Sequence, residues 1–225
     1  MTAVDDARHR GGRMPRLARR RQLLAAAQAV FVAQGYHAAA MDDIAVRAGV
    51  SKPVLYQHFP GKRELYLALL DESAEALVEA VRHALASTTD NKQRVDATVR
   101  AYYTFVEDQH GAFKLVFESD LTGEPAVRER VDEVGRVCAK AISEIIADDT
   151  GLPAAESQLL AAGLAGIAQV TARTWAADGA SIPRETAINL VASLVWRGIS
   201  GFPRKQDSHP PSGGASPTGR KEPVR

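Results

Sequence analysis

Residues 38–65 read AAAMDDIAVRAGVSKPVLYQHFPGKREL, and this stretch decides the fold. Ile44, Ala45 and Ala48 share one face of a short helix expected from about Met41 to Ala48. Gly49 makes the turn, and Ser51 is the residue type that caps a following helix. Pro53 falls in the first turn of that helix, where proline is tolerated. Val54, Leu55 and Phe59 are expected to bury, leaving Lys52, Gln57 and His58 outward. Pro60-Gly61 ends the segment. A long helix then runs from about Lys62 to Leu85, with Leu70, Ala74, Leu77, Val78, Val81 and Leu85 as its apolar stripe. Two short helices around a glycine turn make a helix-turn-helix, whose second helix can lie in the major groove of DNA.

Working outward, Pro15 suits the first turn of a helix that reaches about Gln34. Leu24, Ala27 and Phe31 recur there at helical spacing, and Gly35 closes it. Downstream, helical patterns lie near 91–109, 112–119, 124–148, 153–177 and 183–200. They are separated by Gly111, Gly123-Glu124-Pro125, Gly151-Leu152-Pro153 and Asp178-Gly179. No alternating run is bounded by hairpin turns, so the fold class is all-α. Residues 1–14 form an Arg-rich arm and 203–225 a Pro/Gly/Ser-rich tail; both are expected to be disordered. The domain expectation is a DNA-binding unit over 15–62 and a helical unit over 63–202.

The 225 residues are 45% hydrophobic, ordinary for a globular chain with a real core. No apolar run approaches the ~20 residues a membrane span needs. The N-terminal arginines lead into no apolar segment, so no secretory signal is expected. Cys138 is the single cysteine, which suits a reducing compartment. The expected location is the cytoplasm. The net charge of +1 hides an asymmetry. Residues 1–21 hold seven arginines against Asp5 and Asp6, while residues 71–203 hold 12 basic against 20 acidic residues. A nucleic-acid contact at one end only fits this distribution, as does a solvated basic tail.

A recognition helix needs polar side chains that reach base edges and flanking groups that hold phosphates. Lys52 can donate to guanine, Gln57 can pair with adenine, and Pro53 and Val54 can pack on a thymine methyl. Tyr56, His58 and Lys62 can donate to phosphates. Arg19, Arg20 and Arg21 head the first helix and can reach the backbone or an adjacent minor groove. Taken alone, Tyr56 reads as a core aromatic and the lysines as solvated charges; their combination around the turn favours DNA.

Gly35-Tyr36, Ile44-Ala45, Ala48-Gly49-Val50-Ser51, Leu55-Tyr56, His58-Phe59, Lys62 and Leu65 resemble the N-terminal signature of the TetR family of bacterial transcriptional regulators. The resemblance covers roughly residues 17–70. It implies an all-helical homodimer of about nine helices per subunit. The first three helices would bind operator DNA; the remainder would bind a ligand and dimerise. It further implies that Ser51, Tyr56, His58 and Lys62 grip phosphates while Lys52, Pro53 and Gln57 approach bases. One departure stands out: a hydroxyl pair usually opens the second helix, and here Ala40-Met41 takes its place. Asp42 and Asp43 offset part of the missing cap through the helix dipole.

The second half carries no catalytic constellation. The six histidines are scattered without metal-like spacing, and there is no phosphate-binding glycine loop. No enzyme activity, metal or cofactor is expected. The pairs Glu107-Asp108 and Asp148-Asp149 read as solvated helix ends. Candidate pocket residues are Phe105, Phe113, Phe117, Leu121, Val137, Cys138, Ile167, Thr171 and Trp175, which read equally well as bundle core. Gly163 and Gly166 lie on an Ala-rich helix and, with Leu190, Leu194 and Trp196, are assigned by the family resemblance to a dimer interface. The segments GYHAAAMDDIAVRAGVSKPVLYQHF, STTDNKQRV and FKLVFESD are similar to actinobacterial TetR-type regulators of fatty-acid synthesis. That narrower resemblance implies a long-chain acyl-CoA effector. The alternatives are a drug-efflux repressor with a promiscuous aromatic pocket and a helical interaction protein without DNA binding.

Overall fold

The computed structural model describes residues 15–108 and 123–199. The expected arm, the tail, the segment 112–119 with Phe113 and Phe117, and Leu121 lie outside the described residues. Among those described there are eight helices and no strand. They are α1 (Arg16–Ala38), α2 (Met41–Ala48), α3 (Lys52–His58), α4 (Lys62–Ala86), α5 (Asn91–Asp108), α6 (Pro125–Thr150), α7 (Ala154–Ala177) and α8 (Arg184–Ile199).

Helix α1 buries Leu23, Leu24, Ala27, Val30 and Phe31, a stripe at helical spacing. The chain leaves helical geometry at Gly35, with φ 75° and ψ 164°, a region essentially reserved for glycine. The helix therefore breaks where expected, then adds a turn through Ala38. Helix α2 buries Met41, Ile44, Ala45 and Ala48. Gly49 ends it in the left-handed region (φ 64°). The Val50 N–H donates to the Ala45 carbonyl at 3.0 Å and the Gly49 N–H to the Val46 carbonyl at 3.0 Å. Both orphan carbonyls are thus satisfied in a Schellman turn.

The first turns of α4 pack on α1 through rings: Tyr66 meets Phe31 at 5.3 Å and Tyr36 at 5.1 Å between centroids. Farther along, Leu70, Leu77, Val81 and Leu85 face the bundle. Ion pairs fix the directions of the remaining helices. Arg63 at the start of α4 pairs with Glu124 at the start of α6 (2.5 Å), and Arg130 with Asp71 (2.6 Å). Arg94 at the start of α5 pairs with Asp149 at the end of α6 (3.2 Å), and Arg184 at the start of α8 with Glu107 near the end of α5. Helices α4 and α6 therefore run the same way, and α5 runs against α6. Of the acidic pairs expected to be solvated, Glu107 and Asp148 are exposed, while Asp149 is half-buried; Glu107 and Asp149 each also hold an arginine of a neighbouring helix. Among the described residues no helix is long and apolar enough to cross a membrane.

Candidate nucleic-acid interface

Helix α3 stands on one buried residue, Leu55, with Phe59 buried just beyond it. Val54 is only partly covered. Lys52, Pro53, Tyr56 and Gln57 are exposed, and Tyr56, at 47% exposed, is not the core aromatic its type alone permits. Ser51 occupies the N-cap with extended backbone, and its carbonyl accepts from Val54 at 3.0 Å and Leu55 at 3.2 Å. Its hydroxyl makes no cap hydrogen bond, which leaves that donor on the exposed side. Ala40 caps α2 without any side-chain bond, as its sequence dictates.

Lys52 does not simply point outward. Its ammonium pairs with Asp42 at 2.5 Å, joining the first turns of α2 and α3. Asp42 therefore faces both the α2 dipole and Lys52, and the carboxylate raises the lysine pKa further above its ordinary value.

The arginines of α1 lie beside the end of α3. Arg20 stacks over the Phe59 ring at 4.5 Å. Arg19 donates to Gln22 Oε1 at 2.8 Å, and Gln22 Nε2 donates to the Ala48 carbonyl at 2.7 Å. Arg21 is exposed. His58 is held below its ordinary pKa, first by partial burial and then by Arg16, Arg20 and Arg19. One end of the domain thus presents concentrated positive potential next to the exposed face of α3.

Lys62 differs most from its expected role as a phosphate ligand. Its ammonium donates to the carbonyls of Tyr36 (2.8 Å), Ala39 (2.9 Å) and His37 (3.2 Å). It also sits 4.6 Å above the Tyr36 ring. A cation from α4 caps the last carbonyls of α1, where the helix dipole is negative. Lys62 pins α1 to α4 and so sets the platform from which α3 projects.

In the second half, several candidate pocket residues are packed and satisfied. Phe105 and Cys138 are buried, and the Cys138 thiol is pushed up by that burial. Thr171 donates to the Ile167 carbonyl at 2.7 Å. Trp175 donates its indole N–H to the Ile182 carbonyl at 2.8 Å and meets Tyr103 at 5.5 Å. Val137 faces an open groove between α4 and α6 rimmed by Asp71, Glu75 and Glu79.

A better-formed apolar cavity lies at the end of the bundle away from α3, among α5, α6, α7, α8 and the last turn of α4. Its interior volume is about 120 Å³. Its walls include Val95, Ile142, Ile145, Leu164, Val195 and Trp196, with Asn91, Arg94, Thr98, Asp149 and Thr150 as polar members. Trp196, expected at a dimer interface, is partly buried and lines this cavity. The signal available in the sequence was Thr98, a lone hydroxyl within the stripe Val95, Val99 and Tyr102.

The outer faces of α7 and α8 remain apolar. Leu159 (75% exposed), Gly163, Gly166 and Val170 (61%) fall on one stripe of α7. On α8, Leu190 (61%) and Leu194 (62%) stand one turn apart. An added Cβ at Gly163 or Gly166 would meet nothing within 4 Å, so these positions are a smooth outer surface. Apolar stripes of this extent are unusual on a monomer.

These features define a helix-turn-helix protein with a helical second half. Residues 23–69 match the family described as bacterial regulatory proteins, tetR family. The chain is 46% identical over 194 residues to the HTH-type transcriptional activator FasR of Mycolicibacterium smegmatis, covering 86% of this chain and 89% of that protein. A TetR-like regulator from Rhodococcus sp. RHA1 superposes with a TM-score of 0.64 at 27% identity, over 84% of this chain and all of the other. The FadR regulator of Bacillus subtilis, solved with stearoyl-CoA, shares the fold with a TM-score of 0.66 at 19% identity, over 80% and 98% of the two chains. The protein belongs to the TetR family of transcriptional regulators.

Proposed function

We propose that this regulator reads operator DNA with α3, as a homodimer, and releases or engages it in response to an apolar effector, with fatty-acid genes as its targets. The observation that carries this is the exposed face of α3, with Lys52, Pro53, Tyr56 and Gln57 beside the Arg19–Arg21 cluster. Ser51, Tyr56 and His58 hold phosphates in this reading, and Lys52, Pro53 and Gln57 approach bases. Lys52 must exchange Asp42 for DNA; an exposed pair of this kind is worth only about 0–1 kcal/mol, so the exchange is cheap. Residues 15–62 form the DNA-binding unit and 63–202 the effector and dimer unit, working in the cytoplasm.

Dimerisation is supported by the exposed Leu159–Val170 stripe of α7 and Leu190–Leu194 of α8. Two copies would bury them against each other around a two-fold axis. The effector class, a long-chain acyl-CoA, is supported by the relationship to FasR and by the fold's capacity for stearoyl-CoA in the Bacillus protein. Effector binding would shift the separation of the two recognition helices, which must match half-sites about one helical turn apart.

Fluorescence anisotropy on the DNA upstream of the protein's own gene tests the reading. Gln57→Ala should weaken that complex by roughly 5- to 100-fold, as expected for a lost base pair contact. Stearoyl-CoA should change the affinity of the wild type at fixed salt, in either direction. Unchanged binding by a Lys52→Ala, Gln57→Ala double variant would sink the α3 assignment. Indifference to acyl-CoA would sink the effector.

A further inference from the structure

The cavity away from α3 contains an unexplained polar atom. Thr98 is 8% exposed, and its Oγ1 is buried without a hydrogen-bond partner among the described residues. A buried hydroxyl left unpaired is unfavourable, and native structures rarely keep one without a use. Helical threonines commonly return their hydroxyl to the carbonyl four residues back, as Thr150 and Thr171 do at 2.6 and 2.7 Å. Thr98 does not. It lies on the cavity wall among Val95, Val99, Ile142 and Leu164.

The mouth is polar but electrically balanced. Arg94, one turn from Thr98 on α5, pairs with Asp149 at 3.2 Å. The same guanidinium donates to the Thr88 carbonyl (2.8 Å) and Asn91 Oδ1 (2.9 Å). A carboxylate entering here would meet an arginine already engaged and the Asp149 charge beside it. An aliphatic chain with a neutral oxygen meets neither obstacle.

We propose that this cavity binds an aliphatic molecule bearing one uncharged hydrogen-bonding oxygen, and that Thr98 is the residue that reads that oxygen. Alcohol, ester and thioester oxygens share the required chemistry. Thr98 Oγ1 donates to a carbonyl oxygen or accepts from an alcohol hydroxyl, while the chain lies against Ile142, Leu164 and Val195. The assignment does not depend on DNA binding or on coenzyme A, so it stands or falls separately from the effector reading above.

Trp196 on the wall is a built-in reporter. The purified full chain is titrated with 1-decanol, methyl decanoate and decanoate at pH 7.5 while tryptophan emission is followed. The alcohol and the ester should shift the emission, the carboxylate should bind at least tenfold more weakly, and Trp196→Phe should remove the response. Thr98→Val should weaken decanol binding by about 3- to 10-fold, one hydrogen bond's worth. It should also raise the melting temperature of the ligand-free chain, because it deletes an unpaired buried hydroxyl. Thr98→Ser should keep the affinity, which also covers the case of a valine variant that fails to fold. Binding of decanoate as tight as decanol overturns the neutral-oxygen assignment. Unchanged affinity in Thr98→Val overturns the role of Thr98. No emission change with any of the three, or a response that survives Trp196→Phe, overturns the site. Binding of decanol but not of methyl decanoate assigns the natural ligand to alcohols; binding of both includes esters and thioesters.

Discussion

The two halves of the chain use their polar side chains differently. Around the helix-turn-helix, polar groups reach across helices: Lys62 holds the carbonyls of Tyr36, His37 and the α1 C-cap Ala39, Gln22 holds the Ala48 carbonyl, and Lys52 pairs with Asp42 of α2. In the regulatory half, several charged groups pair near helix ends, as in Arg94–Asp149 and Arg184–Glu107. The long apolar faces between those pairs are left for packing, for a cavity with a polar mouth and for an outer stripe. Helices α2 and α3 are only eight and seven residues long, and α3 buries one residue of its own, so directional bonds help to hold it at a fixed angle. The larger bundle has long apolar faces to bury and is held mainly by their packing.

Breaking the apolar side of this contrast should give the largest effect. Leu194→Arg puts a charge on the outer stripe of α8, where two copies are proposed to meet. The monomer should fold normally, because Leu194 is 62% exposed. Sedimentation should show the dimer weakened at least ~100-fold, since an unpaired charge buried at an interface costs several kcal/mol. An unchanged dimer would move the interface elsewhere.

Breaking the directional side should cost less. Lys62→Met keeps the stem over Tyr36 but strands the carbonyls of Tyr36, His37 and Ala39. Hydrogen bonds from charged donors contribute about 1.5–3 kcal/mol, and partial hydration of the carbonyls places the expected loss near ~2 kcal/mol. Urea melts measure that loss directly. Operator affinity should fall with it through misplacement of α3. A variant as stable as the wild type that still loses DNA would return Lys62 to phosphate binding.

The same contrast explains what could be read from the sequence. The turn and its helices were legible because their determinants are local: Gly49 for a left-handed backbone, Pro53 in a first turn, and Ile44-Ala45-Ala48 on one face. The partners of Lys62 lie 23 to 26 residues upstream, and only the crossing of α1 and α4 brings them together. Lys52 and Asp42 are ten apart, and their meeting depends on the angle of the turn. The cavity was illegible for a related reason. Each of five helices lends it part of a stripe that, taken singly, looks like ordinary core. Trp175 and Trp196 cannot be told apart by pattern, yet one closes the packed interior and the other lines the cavity. The phenylalanine-rich segment that carried the pocket expectation lies outside the described residues.

The smallest effect sharpens the comparison where the halves of the DNA-binding unit meet, at His58. Partial burial and the arginines at 16, 20 and 19 hold its pKa below the ordinary 6.5 in the folded chain. The unfolded chain therefore binds more protons between the folded value and 6.5, so His58 makes stability rise with pH across that window. Above 6.5 the imidazole is neutral in both states and its contribution to stability is complete; as pH falls through the window, that contribution is lost. DNA reverses the sign. A phosphate near His58 favours the imidazolium, so the complex takes up a proton and tightens as pH falls below 6.5. Urea melts at pH 5.5 and 7.5 should show wild type losing more stability on acidification than His58→Gln. Anisotropy at constant ionic strength should show the wild type, and not the variant, gaining operator affinity over the same interval. Parallel pH slopes in the two proteins would mean that His58 stays away from phosphate and that the arginine cluster alone supplies the grip.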